Sequence, residues 1–389
     1  MKENNYNNYD ISISEATALV DKYYGLSGDI KKLDGDVDFN FYIKSGQASY
    51  SIKVSRPGIE ISDWHFQDAI LSHLATKNLS YNLPNIVKAK DGAKIIKLEG
   101  DRLLRVQTWV PGEVIGILSP HSDSLLKSWG QVAGYLSKSL QDFDHPNAHK
   151  KFRWDPSRTL DCRSLRQYFD SDEQRDTADY FWNLFETNAQ DKLQNLRKSV
   201  NYNDAHELNL LIANISKDLQ IDGIIDFGDA VYTETINEIA IACAYGCMHK
   251  KDPLAAALKM VSAYNDVFPL TEEECLVVLP MIGARLMITV SQAAYSKLKE
   301  PDNQYLSVSE RPAWDLLEKL KSFSPDFAAA RFRHVCGYPA SPKLKTFNDW
   351  ISLQPNFSDV INFENKVCKH IDLSLGSLVL GNSKNFKSL

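Results

Sequence analysis

Apolar positions change their period twice within the first hundred residues. Ala16, Leu19, Val20 and Tyr23 recur at helical spacing and predict an amphipathic helix over 14–26. From Lys31 onward, short β-rich runs separated by Gly or Asp turns take over, at 40–44, 48–54, 85–89, 94–98 and 103–107. A helical stretch, 64–75, interrupts them. Residues 27–108 therefore read as a small sheet with one inserted helix.

At Trp109-Val110-Pro111-Gly112 the sheet pattern stops and Pro and Gly punctuate the chain. Helical patterns follow over 122–143, 172–199, 234–247, 253–267, 271–295, 309–322 and 326–335. Thr271 with Glu274, and Ser309 with Pro312, read as helix starts. One island of strand character, 208–215 and 221–227 joined by a polar turn at 216–220, breaks this half. The expected fold class is α+β. A β-rich lobe spans 15–108, a helical lobe carrying one β-hairpin spans 109–340, and the extension 341–389 reads as an interdomain linker.

Composition narrows the function classes. Of 389 residues, 43% are hydrophobic and 24% charged, which is ordinary globular usage. The net charge of −6 argues against nucleic acid as a partner. Six cysteines lie scattered with no CxxC pair, which argues against a zinc or redox motif and suits a reducing compartment. The N-terminus is polar and lacks the apolar core of a signal peptide. The most apolar run, 276–290, holds Pro280 and Arg285 and is shorter than a membrane span. The expectation is a cytoplasmic protein with no membrane partner.

The chemistry-bearing residues sit on the hairpin. Asp204 precedes its first strand, Asn209 follows five residues later, and the second strand ends Ile225-Asp226-Phe-Gly-Asp229. Phosphoryl transfer needs a carboxylate to accept the acceptor hydroxyl's proton and hard oxygen ligands for Mg²⁺. Asp-x4-Asn followed by Asp-Phe-Gly carries those roles in kinases. Asp-x4-Asn alone occurs about once by chance in such a chain, and Asp and Asn also favour turns. Its conjunction with apolar strand, polar turn and Asp-Phe-Gly is far more specific. Asp204 is thus the expected base, and Asn209 and Asp226 the expected metal ligands, with Asp229 behind them.

These residues resemble the aminoglycoside phosphotransferase and choline kinase superfamily, and most closely hydroxylysine-kinase-like proteins. The resemblance covers roughly residues 15 to 340. It includes the text from Leu33 to Phe41, Trp154-Asp155, Glu238-Ile-Ala-Ile-Ala and Ser309-Glu-Arg-Pro-Ala-Trp314. It implies a two-lobed, protein-kinase-like fold and an ATP- and Mg²⁺-dependent kinase of small amino-bearing hydroxyl compounds. Where that superfamily usually has a His two residues before the catalytic Asp, this chain has Tyr202, which the resemblance makes a support for the loop.

On the nucleotide side, Lys53 on strand 48–54 is expected to pair with the phosphates. The resemblance gives it a carboxylate partner on the inserted helix, where Asp63 and Asp68 both qualify and Gln67 could assist. The turn holding Gly35 and Asn40 stands where a phosphate-covering loop belongs, and could equally be an ordinary hairpin turn. By resemblance alone, Gln107 and Trp109 border the adenine.

For the acceptor, Glu234 and Glu238 could hold an ammonium, Arg285 a carboxylate, and Tyr305 and Trp314 could stack on a cation or sugar. Each also has an ordinary packing role. The tail 371–381 is similar to the junction in proteins where a kinase-like domain precedes zinc-peptidase-like and pyridoxal-phosphate aminotransferase-like domains. That similarity implies a link to an aminotransferase-like partner. The competing reading is a nucleotide-binding pseudokinase. A protein kinase is disfavoured, because helical text follows Asp226 within about ten residues and no activation segment intervenes.

Overall fold

A computed structural model describes residues 10–35, 38–118, 120–213, 219–299 and 309–341. The chain opens with helix α1 (Ile13–Tyr24), begun by the Ser12 side chain accepting the Glu15 N–H at 3.1 Å. It ends at Gly25 with φ 69°, a left-handed cap suited to glycine. Then come β1 (Asp29–Leu33), β2 (Asp38–Ser45) and β3 (Ala48–Ser55). Helix α2 (Ile61–Ala75) follows, then β4 (Ile86–Val87), β5 (Ile96–Leu98) and β6 (Arg102–Thr108). All neighbouring strands pair antiparallel in the order β1-β2-β3-β6-β4, with β5 also on β6.

Alternation sorts this sheet into two faces. Phe39, Phe41, Ile43, Ile52, Val54, Leu104 and Val106 bury one face against Ala16 and Val20 of α1. The other face carries Asn40, Lys53 and Arg105 side by side, since Asn40 pairs with Lys53 and Lys53 with Arg105 in the register. Helix α2 joins two cores. Trp64 packs with Ile95 and Leu103 of the small lobe, while Phe66, Ile70, Leu71 and Leu74 enter the core of the helical lobe. A change in α2's position is therefore felt on both sides of the cleft.

Gly112 has φ 124°, and a Cβ there would lie 2.7 Å from the Ile212 carbonyl oxygen. Only glycine lets the crossing strand β7 (Glu113–Val114) approach β9 (Leu210–Ile212) this closely. Helices α3 (Asp123–Leu140), α4 (Asp172–Phe185) and α5 (Asp191–Leu193) lead to β8 (Lys198–Asn201). After β9 come β10 (Gly223–Ile224), β11 (Val231–Glu234), α6 (Asn237–Gly246), α7 (Pro253–Val267), α8 (Glu272–Lys299), α9 (Glu310–Lys321) and α10 (Pro325–Val335). The result is a two-lobed, protein-kinase-like α+β fold.

Several elements differ from the sequence pattern. The run 172–199 is not one helix: α4 runs into a π-turn at Glu186–Gln190 and the short α5, which ends at Leu193, and the chain re-forms as β8 against β11. The first residues of the expected helix 234–247 are likewise the end of β11. Short strands of this kind are decided by a distant partner, which local periodicity cannot register. The start of α8 matches expectation. Thr271 Oγ1 accepts the Glu274 N–H at 3.2 Å and Glu274 Oε2 accepts the Thr271 N–H at 2.8 Å, a reciprocal cap. Helix α8 has 28 residues and is long and apolar enough to cross a membrane, but 94% of its apolar window is buried within the lobe. Most of the extension, from residue 342, lies outside the described residues, as do Tyr305 and residues 214–218, which include part of the expected turn 216–220.

Candidate active site

Pairing of β8 with β11 places Asn201 opposite Val231. The chain entering the Asp204 loop is thereby held beside the chain leaving the Asp226 turn. The next residue, Tyr202, is fully buried. Its hydroxyl donates to the Ile225 carbonyl at 2.5 Å, and its ring meets Phe227 edge-on at 5.0 Å. Tyr202 thus ties the two loops together, at the position where the resemblance led one to expect a histidine.

Asn203 takes φ 66°, a left-handed conformation that asparagine tolerates better than most residues. Its N–H donates to Glu238 Oε2 at 3.1 Å. Burial pushes the Glu238 carboxyl up to about 7, even though the backbone N–H groups of Asn203 and Tyr202 favour its ionised form. Trp129 Nε1 donates to the Ala205 carbonyl at 2.9 Å and fixes the loop from α3.

The Asp204 carboxylate receives three neighbours. Asn209 Nδ2 donates to Oδ2 at 2.7 Å, Arg285 Nη2 donates to Oδ1 at 3.2 Å, and His206 Nε2 lies 3.4 Å from Oδ2. Burial opposes a charge on His206, but the Asp204 carboxylate outweighs it and raises the imidazole's pKa. Arg285 comes from the middle of α8 and is buried. Its guanidinium also donates to the Trp154 carbonyl at 2.8 Å and the Tyr245 hydroxyl at 3.2 Å, and it lies over both rings.

Asp226 also holds a left-handed backbone, φ 57°. Oδ1 accepts the Gly228 N–H at 3.1 Å and Oδ2 accepts from Lys53 Nζ at 3.0 Å. The protein around it works to raise its pKa, but the Lys53 charge and hydrogen bond bring it down to about 2. Three residues on, burial and then the Asp204 charge push Asp229 up to about 8. Two carboxyls on one turn are thus driven in opposite directions, an arrangement typical of functional sites.

Other expected site residues sit differently. Lys53 pairs with Asp226 and not with a carboxylate on α2. Asp63 pairs with Lys150 at 3.2 Å, and Asp68 and Gln67 turn to Arg105. Asn40 Nδ2 donates to the Asp34 and Asp38 carbonyls at 3.4 and 3.3 Å, closing the turn around Gly35. A Cβ on Gly35 would lie 2.2 Å from that nitrogen. Gln107 is buried on β6 opposite Ser51. The Trp109 N–H is taken by the Ser49 carbonyl at 2.9 Å, and its ring packs on Tyr42.

The acceptor residues divide. Arg285 stands in the site. Glu238 is a buttress of the loop backbone and faces no open space. Glu234 pairs with Lys198 at 2.9 Å and with the Ser157 hydroxyl, lining a separate cavity of about 350 Å³ beside the β8–β11 strand pair. Trp314 packs edge-on against Phe169 at 5.1 Å in the core. His206, Tyr245 and Arg105 were not foreseen. His206 sits inside the Asp-x4-Asn interval, and Arg105 is a lone charge in an apolar strand, so both carried a signal.

Comparison with known proteins agrees with this geometry. Hydroxylysine kinase from Xenopus laevis is 25% identical over 347 residues, covering 81% of this chain and 91% of its own. Hydroxylysine kinase from Danio rerio is 24% identical, covering 83% and 95%. Among solved structures, a microcompartment-associated aminopropanol kinase superposes with a TM-score of 0.60 at 15% identity, over 85% of this chain and 100% of that one. An amicoumacin kinase in complex with AMP-PNP and Ca²⁺ gives 0.58 at 16%, over 85% and 96%. Residues 29–266, which contain the Asp204 loop and the Asp226 turn, match the phosphotransferase enzyme family, and the chain belongs to that family as a small-molecule kinase.

Proposed function

We propose that the chain transfers the γ-phosphoryl group of ATP, as its magnesium complex, to the hydroxyl of a small amino-bearing molecule, an amino alcohol or hydroxylysine-like compound. The observation that carries this reading is the convergence of Asp204 and Asn209 from one loop, Asp226 from the turn after β10 and Lys53 from β3, three separate segments. A pseudokinase has no need of an oriented base, and Asp204 is oriented by three donors.

The donor set suits Mg²⁺. Asp226 is held ionised by Lys53, and Asn209 gives its N–H to Asp204, which leaves its carbonyl oxygen as the acceptor. The metal, when bound, neutralises charge on the phosphate oxygens. Lys53, paired with Asp226 at 3.0 Å, would pair with a phosphate of the bound nucleotide. Asp204 accepts the proton of the attacking hydroxyl, and Asn209 and Arg285 hold its two oxygens so that a lone pair faces the acceptor. Trp154 and Tyr245 flank the Arg285 guanidinium that holds Asp204. Glu234, Glu238 and Trp314 are engaged elsewhere, so the amino-bearing class draws its support from the relatives.

The test is ADP release with hydroxylysine, ethanolamine, 1-amino-2-propanol and kanamycin as acceptors, on wild type and Asp204→Asn. The expectation is acceptor-dependent release with at least one of them, abolished in the variant. Tight binding of Mg·ATP with no release on any amino-bearing hydroxyl compound would overturn the acceptor class.

A further inference from the structure

The side-by-side placement of Lys53 and Arg105 on the cleft face raises a question of charge. Two like charges on paired positions of adjacent strands repel. The fold keeps both, and it buries Arg105 more deeply than Lys53. Arg105 lies over the Trp64 ring at 4.4 Å, donates to Gln67 Oε1, and stands 3.6 Å from Asp68 Oδ1. All three partners are on α2. A guanidinium suits this place because its fork reaches two acceptors while its face stacks on an aromatic ring.

The contact continues toward the metal-binding turn. A Cβ on Gly228 would lie 3.2 Å from Asp226 Oδ1 and 3.8 Å from Gln67 Nε2. The Gln67 amide that Arg105 holds by its oxygen thus directs its nitrogen at the Asp226–Gly228 turn. Among the described residues, Arg105 Nη1 and both Asp68 oxygens lack hydrogen-bond partners. A shift of α2 by less than 1 Å would bring them within bonding distance.

We propose that Arg105 is a positioning residue for nucleotide binding: it anchors α2 to the sheet, leaving Lys53 for Asp226 and the phosphates, and through Gln67 it sets the Asp226–Gly228 turn. The role expected of a single lysine–helix carboxylate pair is divided here between two cations. Arg105 acts through its contacts with Trp64, Gln67 and Asp68. This inference rests on the phosphotransferase reading of the cleft and adds to it the residue that couples α2 to the metal side.

The experiment compares wild type, Arg105→Lys, Gln67→Leu, the double variant and Lys53→Met. Calorimetry measures the affinity for Mg·AMP-PNP, and thermal melting without nucleotide measures stability. Arg105→Lys keeps the charge and loses the fork. Gln67→Leu keeps the Arg105–Asp68 pair and loses the link to the turn, so it stands as the test should Arg105→Lys fail to fold. Each single variant is expected to bind at least ten-fold more weakly. The double variant is expected to be no worse than the poorer single, because both act along one path. If both bind within two-fold of wild type and only their melting points fall, while Lys53→Met binds weakly, Arg105 is a plain structural ion pair and the proposal is overturned. Additive losses in the double variant would refute the route through Gln67. A wild type that does not bind Mg·AMP-PNP overturns the nucleotide reading itself, and this inference with it.

Discussion

Replacing Tyr202 by phenylalanine removes one oxygen atom and nothing else. That hydroxyl is fully buried and donates to the Ile225 carbonyl at 2.5 Å, which has no other hydrogen bond among the described residues. The ring's contact with Phe227 survives the change. The loss is therefore that of one hydrogen bond with its acceptor left unpaired, about 1–3 kcal/mol. At about 2 kcal/mol the folded-to-unfolded ratio falls roughly 30-fold. Urea denaturation followed by tryptophan fluorescence reads this as a lower midpoint at unchanged slope. The same bond joins the segment before Asp204 to the strand before Asp226, so turnover should fall with it, about ten-fold at saturating substrates, since small misplacements of reacting groups are costly. Tyr202→His should recover part of both losses if its imidazole reaches Ile225. A stability change under about 0.5 kcal/mol with unaltered turnover would falsify the tie between the two loops.

Asp204→Asn keeps the Arg285-facing oxygen but removes the base, and should lower turnover by about 10²–10⁴-fold while Mg·ATP affinity, measured by calorimetry, stays near wild type; retained turnover would move the base elsewhere. Asp226→Asn removes the charge that Lys53 pairs with at 3.0 Å and should weaken Mg·ATP binding at least ten-fold; equal affinity at all magnesium concentrations would remove it as a ligand. Glu238 keeps its proton in the fold up to about pH 7, whereas its ordinary value is 4.5. The native state holds the extra proton across that window, so the contribution of Glu238 to stability falls as pH rises through it, by about 3 kcal/mol in all. Glu238→Gln should flatten that fall, and denaturation midpoints at pH 4.5 and 8 that shift equally in both proteins would count against it.

Much of this protein was legible along the chain. The two-lobed order followed from where a two-residue period gives way to a helical one, at Trp109–Gly112. The grouping of Asp204, Asn209 and Asp226 followed from spacing, because they lie within 23 positions and the hairpin that unites them is local. Caps such as Thr271 with Glu274 were legible for the same reason: their chemistry closes within one helical turn. Contacts between residues far apart were decided only in the tertiary structure. Lys53 meets Asp226 across 173 positions, where the sequence pattern had pointed to a carboxylate on α2. Strand β8 exists because β11 lies beside it, and its own residues continued a helical pattern. Glu238, Glu234 and Trp314 have the chemistry of substrate ligands, but burial and neighbouring groups engage them elsewhere. Arg285 and Arg105 carry equal charges in the sequence. Packing sets the first beside the Asp204 carboxylate and the second beneath α2, because a buried guanidinium goes where a carboxylate, an amide or an aromatic face compensates its desolvation.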